Sequence, residues 1–508
     1  MRRALLLATV GSLACSADRP GSATPIPLSA PVPPLADVVS EPTEYAAQTP
    51  SATAGEAFFS HYGVGDPYAA GVPYPVFLAL RALYPERLGR DWLEFSAQYG
   101  TIPNRERPTD PDALPVGFHL ATDPITRVDF LMINCHLCHA DLVEADGRQV
   151  FIAGMGNRTL RLHAYDDAFV RIGQDDDLRV GRLLAATTAA AKDHGLAWPP
   201  DHRRPIVSET LRKVRHRAEI RGADSARLAA GLPGRVATIE GFMLALNEQY
   251  DAQLELPSTI GWAKIPDVAT WRYRETNSFD GVSTGAPVAM VAGADFAFGV
   301  RPQWYLGHQH IATSMFLYLR GFSRDLEFPG PIDAALAKSG EGLFDEHCAG
   351  CHGDYSGRYV GYEEQVVPLS VVQTDPARIE AVTPAFAKTA DGIEETRGLV
   401  VTHASDGYVP RPLVDVWARG TYGHAGQWPD LATLATPPEQ RPQRFVVDLG
   451  APLDLERVGV AWSANGSEGP QRHVYDARVP GYGNGGHEFL SDLASEERQA
   501  VLEYLKTL

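Results

Sequence analysis

Cysteine is scarce in this chain, with five among 508 residues. So few thiols in so long a chain exclude a disulfide-stapled scaffold, an arrangement of small secreted domains. Basic residues are outnumbered, 45 Lys and Arg against 63 Asp and Glu, for a formal net charge of -18. That balance argues against nucleic acid as a partner, because nucleic acid selects basic surfaces. It suits a solvated acidic surface, or a face for a basic redox protein. No apolar run reaches the roughly 20 residues of a membrane-spanning helix, and no internal repeat is present beyond one short motif. At 44% hydrophobic and 21% charged residues the composition is that of a globular protein with a sizeable core. The length allows roughly two to four domains.

The few cysteines are not scattered. Four of the five fall in two copies of one pattern, Cys135-His136-Leu137-Cys138-His139 and Cys348-Ala349-Gly350-Cys351-His352. C-x-x-C-H is the attachment signature of c-type haem. Thiols at i and i+3 reach the two vinyl groups of one porphyrin, and the adjacent imidazole reaches the iron from the proximal side. A zinc site built from two C-x-x-C pairs is the competing arrangement, but zinc does not require a His directly after each pair. The motifs therefore predict two covalently bound haem c groups, with iron ligated by His139 and His352.

The fifth cysteine closes an N-terminal segment. Met1-Arg2-Arg3 precedes an apolar run over residues 4–14, and then comes Cys15. A basic start followed by a short apolar stretch reads as an export signal over residues 1–15. Ser12-Leu13-Ala14-Cys15 resembles a lipoprotein box, with Ser12 where Leu is usual, so lipidation of Cys15 is expected, with plain signal cleavage the alternative. Either route delivers the chain to the periplasm, outer membrane or cell surface, touching membrane only through a lipid anchor. Residues 16–53, rich in Pro, Ser, Ala and Thr, are expected to form a disordered tether.

Beyond the tether two units are expected, at 54–328 and 329–508. Residues 175–246 are helical in character, and 256–300 are broken by Pro and Gly into loops. Leu336, Gly340, Leu343, Phe344 and His347 share a helical face just before Cys348. Ser495-Glu496-Glu497 can open a final helix with an apolar stripe of Val501, Leu505 and Leu508. A helix entering C-x-x-C-H and a C-terminal helix crossing it form the plan of a cytochrome c domain. The fold class expected is mainly α: two cytochrome c-like haem domains with long loop-rich insertions and little regular sheet.

Several further segments carry a resemblance. Gly407-Tyr408-Val409-Pro410-Arg411-Pro412-Leu413 leads into Val416-Trp417-Ala418-Arg419-Gly420-Thr421-Tyr422-Gly423-His424-Ala425-Gly426. Pro438-Glu439-Gln440-Arg441-Pro442 and Pro480-Gly481-Tyr482-Gly483-Asn484-Gly485-Gly486-His487-Glu488-Phe489 follow. This series resembles the bacterial di-haem cytochrome c peroxidase superfamily, and within it the di-haem rubber oxygenase (latex-clearing cytochrome) branch. The first half is similar more loosely, through Gly71-Val72-Pro73-Tyr74, Leu114-Pro115-Val116-Gly117-Phe118 and Asn134.

The resemblance implies unequal haems. In the peroxidases a Met in a Tyr-Met-His-Asp-Gly segment ligates the electron-transfer iron, and Gly423 stands at that position here. The rubber oxygenases use a His near the C-terminus, and the matching residue is His487, with His424 as competitor. For the first haem the distal side is expected open or water-filled, with Met155, His163, His308 and His310 as candidate blockers. Trp271 and Phe279 are implied near the active haem, the first able to relay electrons and the second to exclude water. Asp280 and Glu275 are the nearby carboxylates for acid–base work on an O–O bond. The function expected is an exported di-haem oxidoreductase. Its first haem activates dioxygen or peroxide, with an apolar organic substrate as a further partner, and its second transfers electrons. A pure electron carrier and a haem-based sensor or complex subunit are the alternatives.

Overall fold

The computed structural model describes residues 49–508 apart from 64, 286–295, 297, 298, 325, 358, 395, 396, 398 and 399. The export signal, Cys15 and nearly all of the expected tether lie outside the described residues. The first element among the described residues is α1 (Ala52–Ser60), capped by the Ser51 hydroxyl, which accepts from the Ala54 amide.

Helices dominate the first half as their apolar spacing requires. α2 (Tyr74–Leu83) buries Val76, Phe77 and Leu80. The Phe77 ring stacks on Trp92 with centroids 5.1 Å apart, and Phe95 and Phe118 close the same cluster. The helical stretch expected over 175–246 consists of α3 (Val180–Asp193), α4 (Pro200–Ala229) and α5 (Thr238–Tyr250). α4 is broken at Gly222, which has non-helical dihedrals. α6 (Gln309–Gly321) returns to pack along α1. Among the described residues no helix is long and apolar enough to cross a membrane.

The expectation of a mainly α, cytochrome c-like fold with little regular sheet does not hold. Among the described residues helix accounts for 43% and strand for 14%, and the strands form seven small antiparallel sheets. The first motif is set in sheet, not between helices. β1 (Phe118–Thr122) pairs with β2 (Asp129–Ile133), whose end feeds the motif. The chain leaves the motif directly into β3 (Ala140–Ala145), paired with β4 (Arg148–Ala153). Asp146-Gly147 makes that turn with φ of 49° and 68°, a hairpin signal legible in the sequence. A three-stranded sheet of β5 (Arg444–Asp448), β6 (Ala461–Ser463) and β7 (Arg472–Asp476) stands in the second half. Most other strands have two or three residues, too short for a period of two to register in the sequence.

The second motif follows α7 (Ala334–His347), whose Asp333 cap accepts from the amides of Ala335 and Leu336 at 3.0 Å. The last helix, α8 (Ser495–Leu505), crosses it. The two backbones touch at Gly340, where an added Cβ would sit 1.9 Å from the Ala500 carbonyl oxygen. Phe344 and Tyr504 seal the crossing, ring centroids 5.2 Å apart. Gly340→Ala is expected to force the helices apart and cost about 1–3 kcal/mol, read as a lowered denaturant midpoint. The largest core cluster draws on both halves, joining Val143, Ile152 and Trp262 to Trp417, Trp428 and Val501.

Candidate functional site

Each motif is formed by local backbone chemistry. Cys135–Leu137 is a 3₁₀ turn capped by Asn134, whose side-chain oxygen accepts from the His136 amide at 3.0 Å. Cys351 and His352 lie in the helical turn Ala349–His352, directly beyond α7. Among the described residues no three His, Cys, Asp or Glu side chains converge as metal ligands. The two Cys pairs are therefore not gathered into one thiolate cluster of the kind zinc would need.

The motif imidazoles share one device. His139 Nδ1 lies 3.0 Å from the Pro266 carbonyl oxygen, and His352 Nδ1 lies 2.8 Å from the Arg411 carbonyl oxygen. A carbonyl only accepts, so both Nδ1 atoms carry the proton and both Nε2 lone pairs are left for another partner. This is how metal-ligating histidines are oriented. Burial also keeps the rings neutral: it pushes His139 down to about 4, and it lowers His352.

Opposite His352 stands His487. The ring centroids are 6.2 Å apart. Two imidazoles bonded to opposite sides of one metal, at about 2 Å per nitrogen, place their centroids roughly 6 Å apart. The His487 Nδ1 is buried with no hydrogen-bond partner, and burial pushes the ring down to about 3. The backbone carrying it is left-handed, at φ 53°. The His487 amide donates to Val372 O at 2.7 Å. Arg441 donates to the carbonyls of Asn484 at 2.8 Å and Gly486 at 2.7 Å, and the Trp428 indole donates to Asn484 O at 3.0 Å. His424 is turned elsewhere: its ring stacks on Tyr408 at 4.3 Å, with Nε2 3.2 Å from the Tyr408 hydroxyl.

The four candidate blockers of the first site have other surroundings. His163 Nε2 accepts from the Ala237 amide at 2.8 Å. Met155 is buried in the large core cluster. His308 stacks on Trp304 at 4.3 Å and donates through Nδ1 to the Trp304 carbonyl at 2.7 Å; the His310 ring lies 6.2 Å from His308.

Trp271 and Phe279 are divided between the motifs. Trp271 and Cys135 both pack against the apolar cluster that holds Tyr305 and Met315, and the Trp271 indole donates to Asn277 at 3.2 Å. Phe279 packs with Tyr408, Val372 and Cys351, beneath the Arg411 guanidinium at 4.2 Å. Asp280 is committed to Arg378 at 2.8 Å, and Glu275 is exposed.

The feature missed by sequence reasoning is a buried charge cluster between the motifs. Arg324 donates to Asp415 at 2.9 Å, to Asp267 and to the Ala153 carbonyl. Although burial raises it, Asp267 is brought net below its ordinary value by Arg324 and Arg419, whereas burial lifts Asp415 to about 6. Three buried guanidinium nitrogens nearby have no hydrogen-bond acceptor: Arg274 Nη1, Arg411 Nε and Arg419 Nε. A porphyrin brings two carboxylates, so these donors fit such a group as the two imidazoles do. No local signal announces them; each arginine is an ordinary residue until the chain folds. A cavity of about 870 Å³ also opens in the first half, with Phe118, Ile133 and Leu162 on one wall and charged residues, Asp166, Arg217, Arg221 and Glu248 among them, on another. Ile133, Leu162 and Cys138 pack against the same apolar cluster, which includes Phe118.

No protein-family model matches the chain. Among known proteins it is similar to two from Sinorhizobium fredii. One, designated Uncharacterized protein y4iJ, is 23% identical over 351 residues, covering 52% of this chain and 58% of that protein. The other, Uncharacterized protein y4iM, is 27% identical over 196 residues, covering 32% of this chain and 43% of that protein. The chain spans about half the length of these curated relatives.

Proposed function

We propose that the chain is an exported di-haem c-type oxidoreductase related to the di-haem cytochrome c peroxidases and their rubber oxygenase branch. The observation that carries this reading is the shared orientation of His139 and His352 beside their paired cysteines. Each Nδ1 is held by a main-chain carbonyl and each Nε2 is left free. When bound, haem supplies a redox-active iron, which passes electrons if both axial positions are filled and reacts with dioxygen or peroxide if one is open. Cys135, Cys138 and His139 would hold the first group, and Cys348, Cys351, His352 and His487 the second. His487 closes its side, since its loop is pinned by Arg441 and Trp428. Trp271, which packs against the same apolar cluster as Cys135, would line the reactive side. Phe279 serves the second site as a packing wall.

The test is spectroscopic. Purified protein is expected to carry two covalent haems per chain by pyridine haemochrome assay. Cyanide or azide should shift about half of the ferric spectrum, the share of one centre in two. Absence of covalent haem ends the reading. Two low-spin centres that ignore both anions would leave an electron carrier in its place.

A further inference from the structure

The carbonyls that receive the two motif imidazoles are joined to one another by a short polar chain. Pro266, which receives His139, is followed by Asp267, whose carbonyl accepts from the Thr270 hydroxyl at 3.0 Å. That hydroxyl in turn accepts from Arg411 Nη1 at 3.2 Å. Arg411 receives His352 on its own carbonyl at 2.8 Å. The donor and acceptor roles are consistent throughout, because Thr270 donates once and accepts once. Three hydrogen bonds and the Thr270–Asp267 link thus run from one proximal imidazole to the other. The chain passes through a buried guanidinium flanked by Arg274 and Arg419, with Asp267 as the facing carboxylate.

We propose that Thr270 and Arg411 form a bridge that couples the two metal sites, Arg411 setting both reduction potentials and Thr270 completing the path between them. The inference rests on the di-haem reading above. A fixed cation on the path between the two motif imidazoles would stabilise the reduced state of a metal held by either, so one residue would move both potentials in the same direction. With both groups bound, one electron would pass along the bridge from the centre held by one motif imidazole to the other, and no proton would move, since both Nδ1–H groups stay hydrogen-bonded to their carbonyls. Arg411 and Thr270 are positioning residues; they act through His139 and His352.

Potentiometric titration of holoprotein, followed in the visible region, tests the first half. Arg411→Gln is expected to move both midpoint potentials negative, and Arg411→Lys, which keeps the charge, to leave them near those of the unsubstituted protein. A shift confined to one centre, or none, overturns the role of Arg411. Thr270→Val keeps the shape and the charge and removes the hydroxyl. It should leave both midpoints in place while slowing electron equilibration several-fold after flash photoreduction by a flavin. An unchanged rate overturns the bridge. If Arg411→Gln loses haem, Arg411→Met, which also removes the charge but keeps an apolar stem over Phe279, is expected to move both midpoints negative in its place, and Thr270→Val still decides the path. Haem counts separate the outcomes: unsubstituted protein without two haems per chain fails the di-haem reading itself, whereas fully loaded variants with unaltered potentials and rates fail only the bridge.

Discussion

His487→Gly is expected to convert one low-spin haem centre to high-spin and leave the other unchanged. The ring lies 6.2 Å from that of His352, centroid to centroid, and under the proposed di-haem function its removal would leave His352 as the one protein ligand at that centre. Glycine is a cleaner replacement than alanine, because residue 487 sits at φ 53°. Glycine adopts that conformation freely, whereas other residues pay about 1–2 kcal/mol for it. The loop itself should persist, since Arg441 and Trp428 hold it through the carbonyls of Asn484 and Gly486 rather than through the imidazole. EPR of the ferric protein reads the change directly, and added imidazole should restore the low-spin signal. An unaltered spectrum removes His487 from the ligand set and brings His424 back into question.

Arg324→Met is expected to carry the largest stability cost, about 3–5 kcal/mol, because it strands buried carboxylates without their cation. Arg324 ties Asp267 to Asp415 and also donates to the Ala153 carbonyl at 3.0 Å. Arg419 lies 3.6 Å from Asp267 and cannot replace the pair of contacts. The pH dependence has a defined sign. In the variant both carboxyls have folded values raised above their unfolded ones, so their contribution is favourable at low pH and lost as the pH rises. The gap from the unsubstituted protein should therefore narrow as the pH falls towards that of free aspartate, about 4. Urea midpoints at several pH values measure it; a loss below about 1 kcal/mol at neutral pH would show that the cluster relaxes around the gap.

The helices were legible because their signals are local. The stripe through Leu336, Gly340 and Phe344 predicts the helix that ends at Cys348, and the apolar repeat at Val501 and Leu505 predicts the one that crosses it. The sheets were not legible in the same way. Asp146-Gly147 was a readable turn, but strands such as Val72–Pro73 and Val367–Pro368 exist only through partners found elsewhere in the chain. The surroundings of the first motif are therefore strand and hairpin where helix was expected. Trp271 and Phe279 show the same limit: eight residues apart in sequence, they pack against different motifs.

The sequence by itself determined which thiols and imidazoles stand together, because i, i+3 and i+4 are set by the covalent chain. It also determined that Gly423 brings no side chain to a metal. The tertiary structure decided the rest: that the His487 ring lies 6.2 Å from that of His352, that the Pro266 carbonyl accepts from His139 Nδ1 across 127 residues, and that Thr270 meets Arg411 across 141. Those contacts depend on packing among distant segments, and no local periodicity encodes them.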